Sequence, residues 1–186
     1  MDKVVFLDRD GTINVEKNYL YKTQDFEFIP GSEDAIRLLN RSGYKVIVVT
    51  NQAGVARGYY TEDDVAVLHA YINERLKEKD AYIDKFIYCP HHPVKGIGEY
   101  KCKCRCRKPD IGMFEQAAGI YDIDKSNSWM VGDNVGDMDA GRNFGIRTIL
   151  VSTGYGSMVM SGHQAQYDYY KKDLYEAAAF ITEYGG

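Results

Sequence analysis

Two acids stand two residues apart where a short apolar run ends: Val4-Val5-Phe6-Leu7 leads into Asp8-Arg9-Asp10-Gly11-Thr12. A run of that length and composition predicts a buried parallel strand. Side chains alternate along extended backbone, so residues 8 and 10 can face one site. In open α/β sheets, ligands bind at the carboxyl ends of the strands. Two chemical jobs suit such a pair. One carboxylate can attack phosphorus as a nucleophile and become an aspartyl-phosphate. The other can protonate the leaving oxygen and later deprotonate a water. Mg²⁺, a hard cation that takes oxygen ligands, would bridge the acids and a phosphate. Taken alone, an Asp-x-Asp pair more often marks a strand followed by an acidic, solvated turn.

Other polar residues recur at the ends of other apolar runs. Lys45-Val46-Ile47-Val48-Val49 ends in Thr50-Asn51-Gln52, whose hydroxyl and amides can hold phosphate oxygens. Trp129-Met130-Val131-Gly132 ends in Asp133, with Asp137 one helical turn further on. Arg107-Lys108-Pro109 puts two cations just before a predicted helix. On one sheet edge these would make a site too polar for a core and suited to a metal plus a phosphate.

All four cysteines, Cys89, Cys102, Cys104 and Cys106, lie in one window with His91 and His92. In a reducing compartment such clustering points to metal chemistry before disulfides. Three thiolates and one imidazole complete a tetrahedral Zn²⁺ site with no open position, which is a structural one. Cys89 and His91 form one ligand pair and Cys104 and Cys106 the other. His92 and Cys102 are competing donors. The loop between carries Lys95, Gly96, Gly98 and Lys101 and no apolar core of its own, so a metal is its plausible staple.

The elements that would position these groups alternate along the chain. Residues 14–30 read as a loop or small hairpin beside the first strand's end. A helix starts at Ser32, its candidate N-cap, with Ala35, Ile36, Leu38 and Leu39 as the apolar face, and stops at Gly43. Thr61 caps a long helix to about Lys79. Asp84 to Cys89 is a third strand, and the Cys/His-rich insert spans 89–109. Helices are expected at 111–120 and at Val135 to Phe144, the latter closed by Gly145. Arg147 to Val151 is a fifth strand, and a Tyr-rich tail ends in a helix at 173–184. His69 and His163 read as solvated residues of a helix and the tail. Five strand–helix alternations predict an α/β fold with a doubly wound, mostly parallel, Rossmann-like sheet, in a single domain covering 1–186.

With 45% hydrophobic and 27% charged residues the composition is that of an ordinary globular protein. A formal net charge of −4 argues against a nucleic-acid partner. No long apolar run suggests a membrane span, and the start has no signal-peptide pattern. A cytoplasmic monomer acting on a small molecule is expected.

The residues carry a family resemblance over about 3–155. Asp8-Arg9-Asp10-Gly11-Thr12, Thr50-Asn51, Lys108 and Gly132-Asp133 with Asp137 resemble the four ordered motifs of the haloacid dehalogenase-like phosphatases. Thr50 to Gly58, Cys89-Pro90-His91-His92-Pro93 and Cys104-Arg105-Cys106-Arg107-Lys108-Pro109 are similar to the D-glycero-D-manno-heptose 1,7-bisphosphate phosphatases. The histidinol-phosphate phosphatases share the same pattern. The resemblance implies Asp8 as nucleophile and Asp10 as general acid/base, with Thr50 and Lys108 on the transferring phosphoryl group. It implies Asp8, Asp10 and Asp133 at Mg²⁺, and a structural Zn²⁺ on Cys89, His91, Cys104 and Cys106. Substrate contacts fall on Glu16, Lys17, Asn18 and Tyr19, on Thr50, Asn51, Gln52 and Ala53, and on Arg107, Lys108 and Asn134. Relatives with lysine at the place of Asn134 would make a contact that this chain lacks; Arg57 either replaces it or is a surface arginine.

The implied reaction removes the C7 phosphate and leaves the 1-phosphate, a heptose precursor for lipopolysaccharide, capsule or S-layer glycans. Histidinol phosphate is the rival substrate, and a polynucleotide end the third. The segments after the first and third strands are short, so a capless site walled by 14–30 and the zinc loop is expected.

Overall fold

The computed structural model describes residues 1–184. Its elements run β1 (Val4–Leu7), α1 (Ser32–Arg41), β2 (Lys45–Asn51), α2 (Ala53–Ala56), α3 (Glu62–Lys77), β3 (Lys85–Cys89) and α4 (Gly112–Ala118). They continue with β4 (Trp129–Gly132), α5 (Val135–Phe144), β5 (Arg147–Val151), α6 (Gly156–Ser161), β6 (Tyr169–Lys171) and α7 (Leu174–Tyr184). The strands form one parallel sheet in the order β3-β2-β1-β4-β5-β6. The expected doubly wound α/β architecture is therefore present, with a sixth strand.

Alternation along β1 divides the core in two. Val5 and Leu7 face α1, α3 and α7, burying Ile36, Leu39, Leu68, Ile72, Ala177 and Ile181. Val4 and Phe6 face α4 and α5, against Met113, Phe114, Ala140 and Phe144. Both layers are needed because β1 is central: Val5 pairs with Val46 on one side and Trp129 on the other. The chain leaves β1 toward β2 and later returns to its other side with β4. The order therefore reverses beside β1, where an open α/β sheet leaves its crevice.

Four readings change in detail. Ser32 does not cap α1. Its N–H donates to Ile29 O at 3.0 Å and its side chain is buried, while Gly31, at φ 88°, takes the cap position that a Cβ would strain. Asp84 is not in β3; its carboxylate accepts the Val46 N–H at 2.8 Å and pairs with Lys45 at 3.0 Å, closing the strand's entry. His69 is buried at 6% exposure rather than solvated, whereas His163 is exposed. The tail contains α6 and β6 as well as the expected last helix. The segments after β1 and β3 hold only short 3-10 turns, at Thr23–Asp25 and Gly98–Tyr100. Among the described residues, no helix is long and apolar enough to cross a membrane.

Candidate active site and metal centre

Asp8 continues the β1 ladder, its N–H donating to Val131 O at 3.0 Å. That register sets its carboxylate beside Asp133, which follows β4, and Asp137 in the first turn of α5. One oxygen from each lies within 4.8 Å of the others. Lys108 arrives from the far side: its ammonium donates to Asp8 Oδ1 at 2.9 Å, Asp137 Oδ1 at 2.5 Å and the Val49 carbonyl at 2.6 Å. Asn51 fixes that lysine. Its Oδ1 accepts the Lys108 N–H and its Nδ2 donates to the Lys108 carbonyl, both at 3.1 Å.

Burial dominates the electrostatics. It pushes Asp8 up to about 7, reinforced by the charge of Asp137 and opposed by Lys108. Asp133 rises to about 8, through burial and the charges of Asp8 and Asp137, against the N–H that Tyr155 donates to its Oδ2 at 2.8 Å. Burial alone would lower Lys108, but Asp137 and Asp8 hold it above its ordinary value. Three carboxylates gather around one ammonium, and their closely spaced oxygen donors suit a hard divalent cation. Asp137 is the least available donor: Oδ1 meets Lys108 and Oδ2 accepts the Asn134 N–H at 3.0 Å, capping α5. Gly11 and Gly154, both at positive φ, close over Asp133, and a Cβ on either would collide with its carboxylate.

Asp10 faces elsewhere. Its carboxylate accepts from Arg9 at 2.9 and 3.1 Å, Asn14 Nδ2 at 2.9 Å and Gln52 Nε2 at 3.1 Å. Its side chain stays 17% exposed toward the cavity and does not join the cluster of Asp8, Asp133 and Asp137. The geometry therefore brings Asp8 and Asp133 together as oxygen donors and holds the Asp10 carboxylate apart.

Above this floor lie two adjoining cavities of about 300 Å³ each, sharing Asp10, Glu16, Asn51, Arg107 and Tyr155 as common walls. Thr50, Lys108 and Asn134 line only the inner one; Asn18, Tyr19, Gln52, Ala53 and Tyr60 line only the outer one. The strap at 16–20 is shaped by consecutive left-handed residues, Asn18 at φ 49° and Tyr19 at φ 64°. A tyrosine pays for that conformation only where packing over-determines it. Here its ring meets the edge of Tyr59 at 4.9 Å and the Arg57 guanidinium at 5.3 Å. Arg57 therefore braces the strap and lines neither cavity. Lys17 is the one expected contact turned away: its ammonium donates to Asp25 O at 2.8 Å and pairs with Glu27 at 3.1 Å. Tyr155 was not anticipated. It lies in the Tyr-rich tail, and the only local signal was the preceding Gly154.

The second cluster is formed by Cys89, His91, Cys104 and Cys106, with one ligand atom of each within 4.8 Å of the rest. The sulfurs are 3.0, 3.1 and 3.5 Å apart, and His91 Nδ1 is 3.4 Å from Cys106. Sulfurs on a tetrahedral zinc would stand about 3.8 Å apart, so the cage is tighter than a zinc-filled one and would open slightly around the ion. All four cysteines are free thiols. Hydrogen bonding from Cys89 first, then Cys104 and His91, holds Cys106 down to about 5, against burial. The competing donors are excluded by position. His92 Nδ1 accepts the N–H groups of Val94 and Lys95 at 3.2 and 3.0 Å, and Cys102 lies outside the cluster. Cys89 also packs in the β1–α4 layer, and the chain passes from Cys106 to Lys108 in two residues, tying the cage to the floor of the site.

The chain is similar to known phosphatases. The HAD-hydrolase-like family model matches residues 105–177. The chain is 46% identical over 155 residues to the D-glycero-beta-D-manno-heptose-1,7-bisphosphate 7-phosphatase of Haemophilus influenzae, spanning 83% of this chain and 84% of that one. It is 46% identical over 154 residues to the D-glycero-alpha-D-manno-heptose-1,7-bisphosphate 7-phosphatase of Photorhabdus laumondii, spanning 82% and 84%. The crystal structure of the D,D-heptose 1,7-bisphosphate phosphatase from B. bronchiseptica, complexed with magnesium and phosphate, superposes with a TM-score of 0.87 at 30% identity, covering 98% of this chain and 99% of that one. Relatives of this identity and coverage lead to one assignment: the chain belongs to the D-glycero-D-manno-heptose 1,7-bisphosphate phosphatase family of the haloacid dehalogenase-like hydrolases, and it is a phosphoric monoester hydrolase.

Proposed function

We propose that this enzyme hydrolyses D-glycero-D-manno-heptose 1,7-bisphosphate at C7 and releases the 1-phosphate. The observation that carries this reading is the pairing of two cations across two cavities. Lys108 lies against Asp8 at the floor, and Arg107 lines both the inner and the outer space. A bisphosphate needs two such stations. The C7 phosphate, on a primary carbon, can reach the floor on a flexible arm. The C1 phosphate is attached to the ring and suits the outer cavity, where the arginine fork can bind phosphate oxygens bidentately.

In this mechanism an Asp8 oxygen attacks phosphorus, and the bond from phosphorus to the C7 oxygen breaks. Asp10 gives the departing oxygen its proton. Asp10 then takes a proton from a water, whose oxygen attacks the aspartyl-phosphate and releases inorganic phosphate with free Asp8. Lys108 and the Thr50 hydroxyl hold the oxygens of the transferring group. Asp8 and Asp133 are the carboxylates that would hold Mg²⁺, which when bound neutralises charge on phosphate and acids. Cys89, His91, Cys104 and Cys106 would hold a structural Zn²⁺ that fixes the segment carrying Arg107 and Lys108.

Turnover measured on the α and β heptose bisphosphates, histidinol phosphate and a 5′-phosphorylated oligonucleotide tests the substrate. A kcat/KM for a heptose bisphosphate at least about tenfold above the others is expected, since a monophosphate leaves the Arg107 station without its charged contact. Preference for histidinol phosphate would replace the reading.

A further inference from the structure

We propose that His69 is a positioning residue for the reaction: through Arg9 it fixes the direction in which the Asp10 carboxylate meets the leaving oxygen. The inference rests on the reading of Asp10 as proton donor. Arg9 is fully buried, so its guanidinium must find protein partners for its N–H groups. Its Nη2 donates to Asp10, to Leu20 O at 3.1 Å and to Gln52 Oε1 at 3.3 Å. Among the described residues its Nη1 has one partner, His69 Nε2, at 3.2 Å. Arginine has no acceptor, so the imidazole must accept, which requires the neutral ring with its proton on Nδ1. Burial, then the charge of Arg9, keeps the ring in that form by holding it down to about 3.

The imidazole cannot drift. It stacks on Phe86 at 4.4 Å and 16°, and meets the edge of Tyr88 at 5.9 Å. A second anchor reaches Asp10 from the other side. Tyr60 OH donates to Gln52 Oε1 at 2.7 Å, and Gln52 Nε2 donates to Asp10 Oδ2 and Thr50 Oγ1. His69 lies in α3, and Tyr60 immediately precedes Thr61, the residue that caps α3. One helix thus sets both ends of the chain of contacts that aims the acid. Neither residue lies among the three clustered carboxylates or touches Lys108; His69 lines neither cavity, whereas Tyr60 forms part of the outer wall.

The test compares two leaving groups by kcat/KM, which reports steps only through formation of the aspartyl-phosphate. A sugar alkoxide needs a proton to depart; p-nitrophenolate does not. His69→Met should lower kcat/KM on the heptose bisphosphate about tenfold and on p-nitrophenyl phosphate less than about threefold, a fraction of what a whole general acid contributes. His69→Gln, whose amide oxygen reaches the place of Nε2, should restore the value to within about threefold, and His69→Asn, which is too short, should not. Tyr60→Phe should show the same selectivity from the opposite anchor, and it remains the test if His69→Met fails to fold. Equal losses on both substrates, or none, would overturn the role of His69. Asp10→Asn is the control. Equal losses there overturn Asp10 as proton donor, whereas selective loss there with none in His69→Met or Tyr60→Phe overturns only the positioning chain.

Discussion

The Lys108 ammonium lies 2.9 Å from the Asp8 carboxylate, a contact across 100 residues of chain, and it is held there by the amide of Asn51. Its neighbour Arg107 instead donates to the His91 carbonyl at 3.3 Å and lines both cavities. In the proposed reaction these adjacent residues serve different stations. Lys108→Ala should lower kcat/KM by at least about a hundredfold on every phosphate ester, because the charge that neutralises the reacting phosphate is gone. Arg107→Ala should cost about tenfold or more on the bisphosphate and little on a small monoester, as one charged contact is lost. Equal sensitivity of both esters to Arg107→Ala would remove the second station.

Asp8→Asn should abolish turnover while leaving a folded and, without metal, more stable protein. Its carboxyl is raised to about 7 from 3.8. The folded state therefore binds the proton more tightly, and the stability this gives is present at low pH and lost as pH rises through about 7. An amide escapes that loss. Urea unfolding at pH 8 without Mg²⁺ should show Asp8→Asn more stable than wild type by about 1 kcal/mol or more. A less stable variant would contradict the buried-charge picture of the floor.

His69 gives the opposite sign. Its folded value is about 3 against 6.5 unfolded, so the unfolded chain binds the extra proton between those values. Stability is fully present above 6.5 and falls as pH drops toward 3, by at most about 1.4 kcal/mol per pH unit. Carboxylates titrate in the same range, so the readout is the difference between wild type and His69→Gln from pH 7 to pH 4. A pH-independent difference would mean that the ring does not stay neutral when buried.

These two acid–base contrasts also mark what could be read in the sequence. Asp8, Thr50, Lys108 and Asp133 were legible because each ends an apolar run or abuts a helix, and a parallel sheet collects such ends. The cage was legible because its donors are rare and closely spaced. His69 was misread as solvated although Val65, Leu68, Ile72 and Leu76 place it on the buried stripe of α3. A polar residue on that stripe signals a buried partner, which only the fold could identify as Arg9. Lys17 is one of four consecutive contacts that the resemblance implies, and only the fold shows that the strap turns it toward Asp25 and Glu27. β6 escaped notice because a three-residue edge strand of half-buried Tyr169, Tyr170 and Lys171 has no apolar run to reveal it.

Purified protein should contain about one zinc per chain, alongside a separate requirement for exchangeable Mg²⁺, since thiolates favour the softer ion and carboxylates the harder. Cys104→Ser and Cys106→Ser should each lose the zinc and, because Lys108 is two residues from Cys106, most of the activity. Cys102→Ser and His92→Ala should keep both. Full zinc content in Cys106→Ser, by elemental analysis, would move the site.

The proposed reaction is defined by which phosphate leaves. Phosphorus NMR of the heptose 1,7-bisphosphate incubated with enzyme and Mg²⁺ reads it directly. Loss of the C7 monoester resonance, growth of inorganic phosphate and persistence of the C1 resonance is the predicted result. A product that keeps its C7 phosphate would contradict the account.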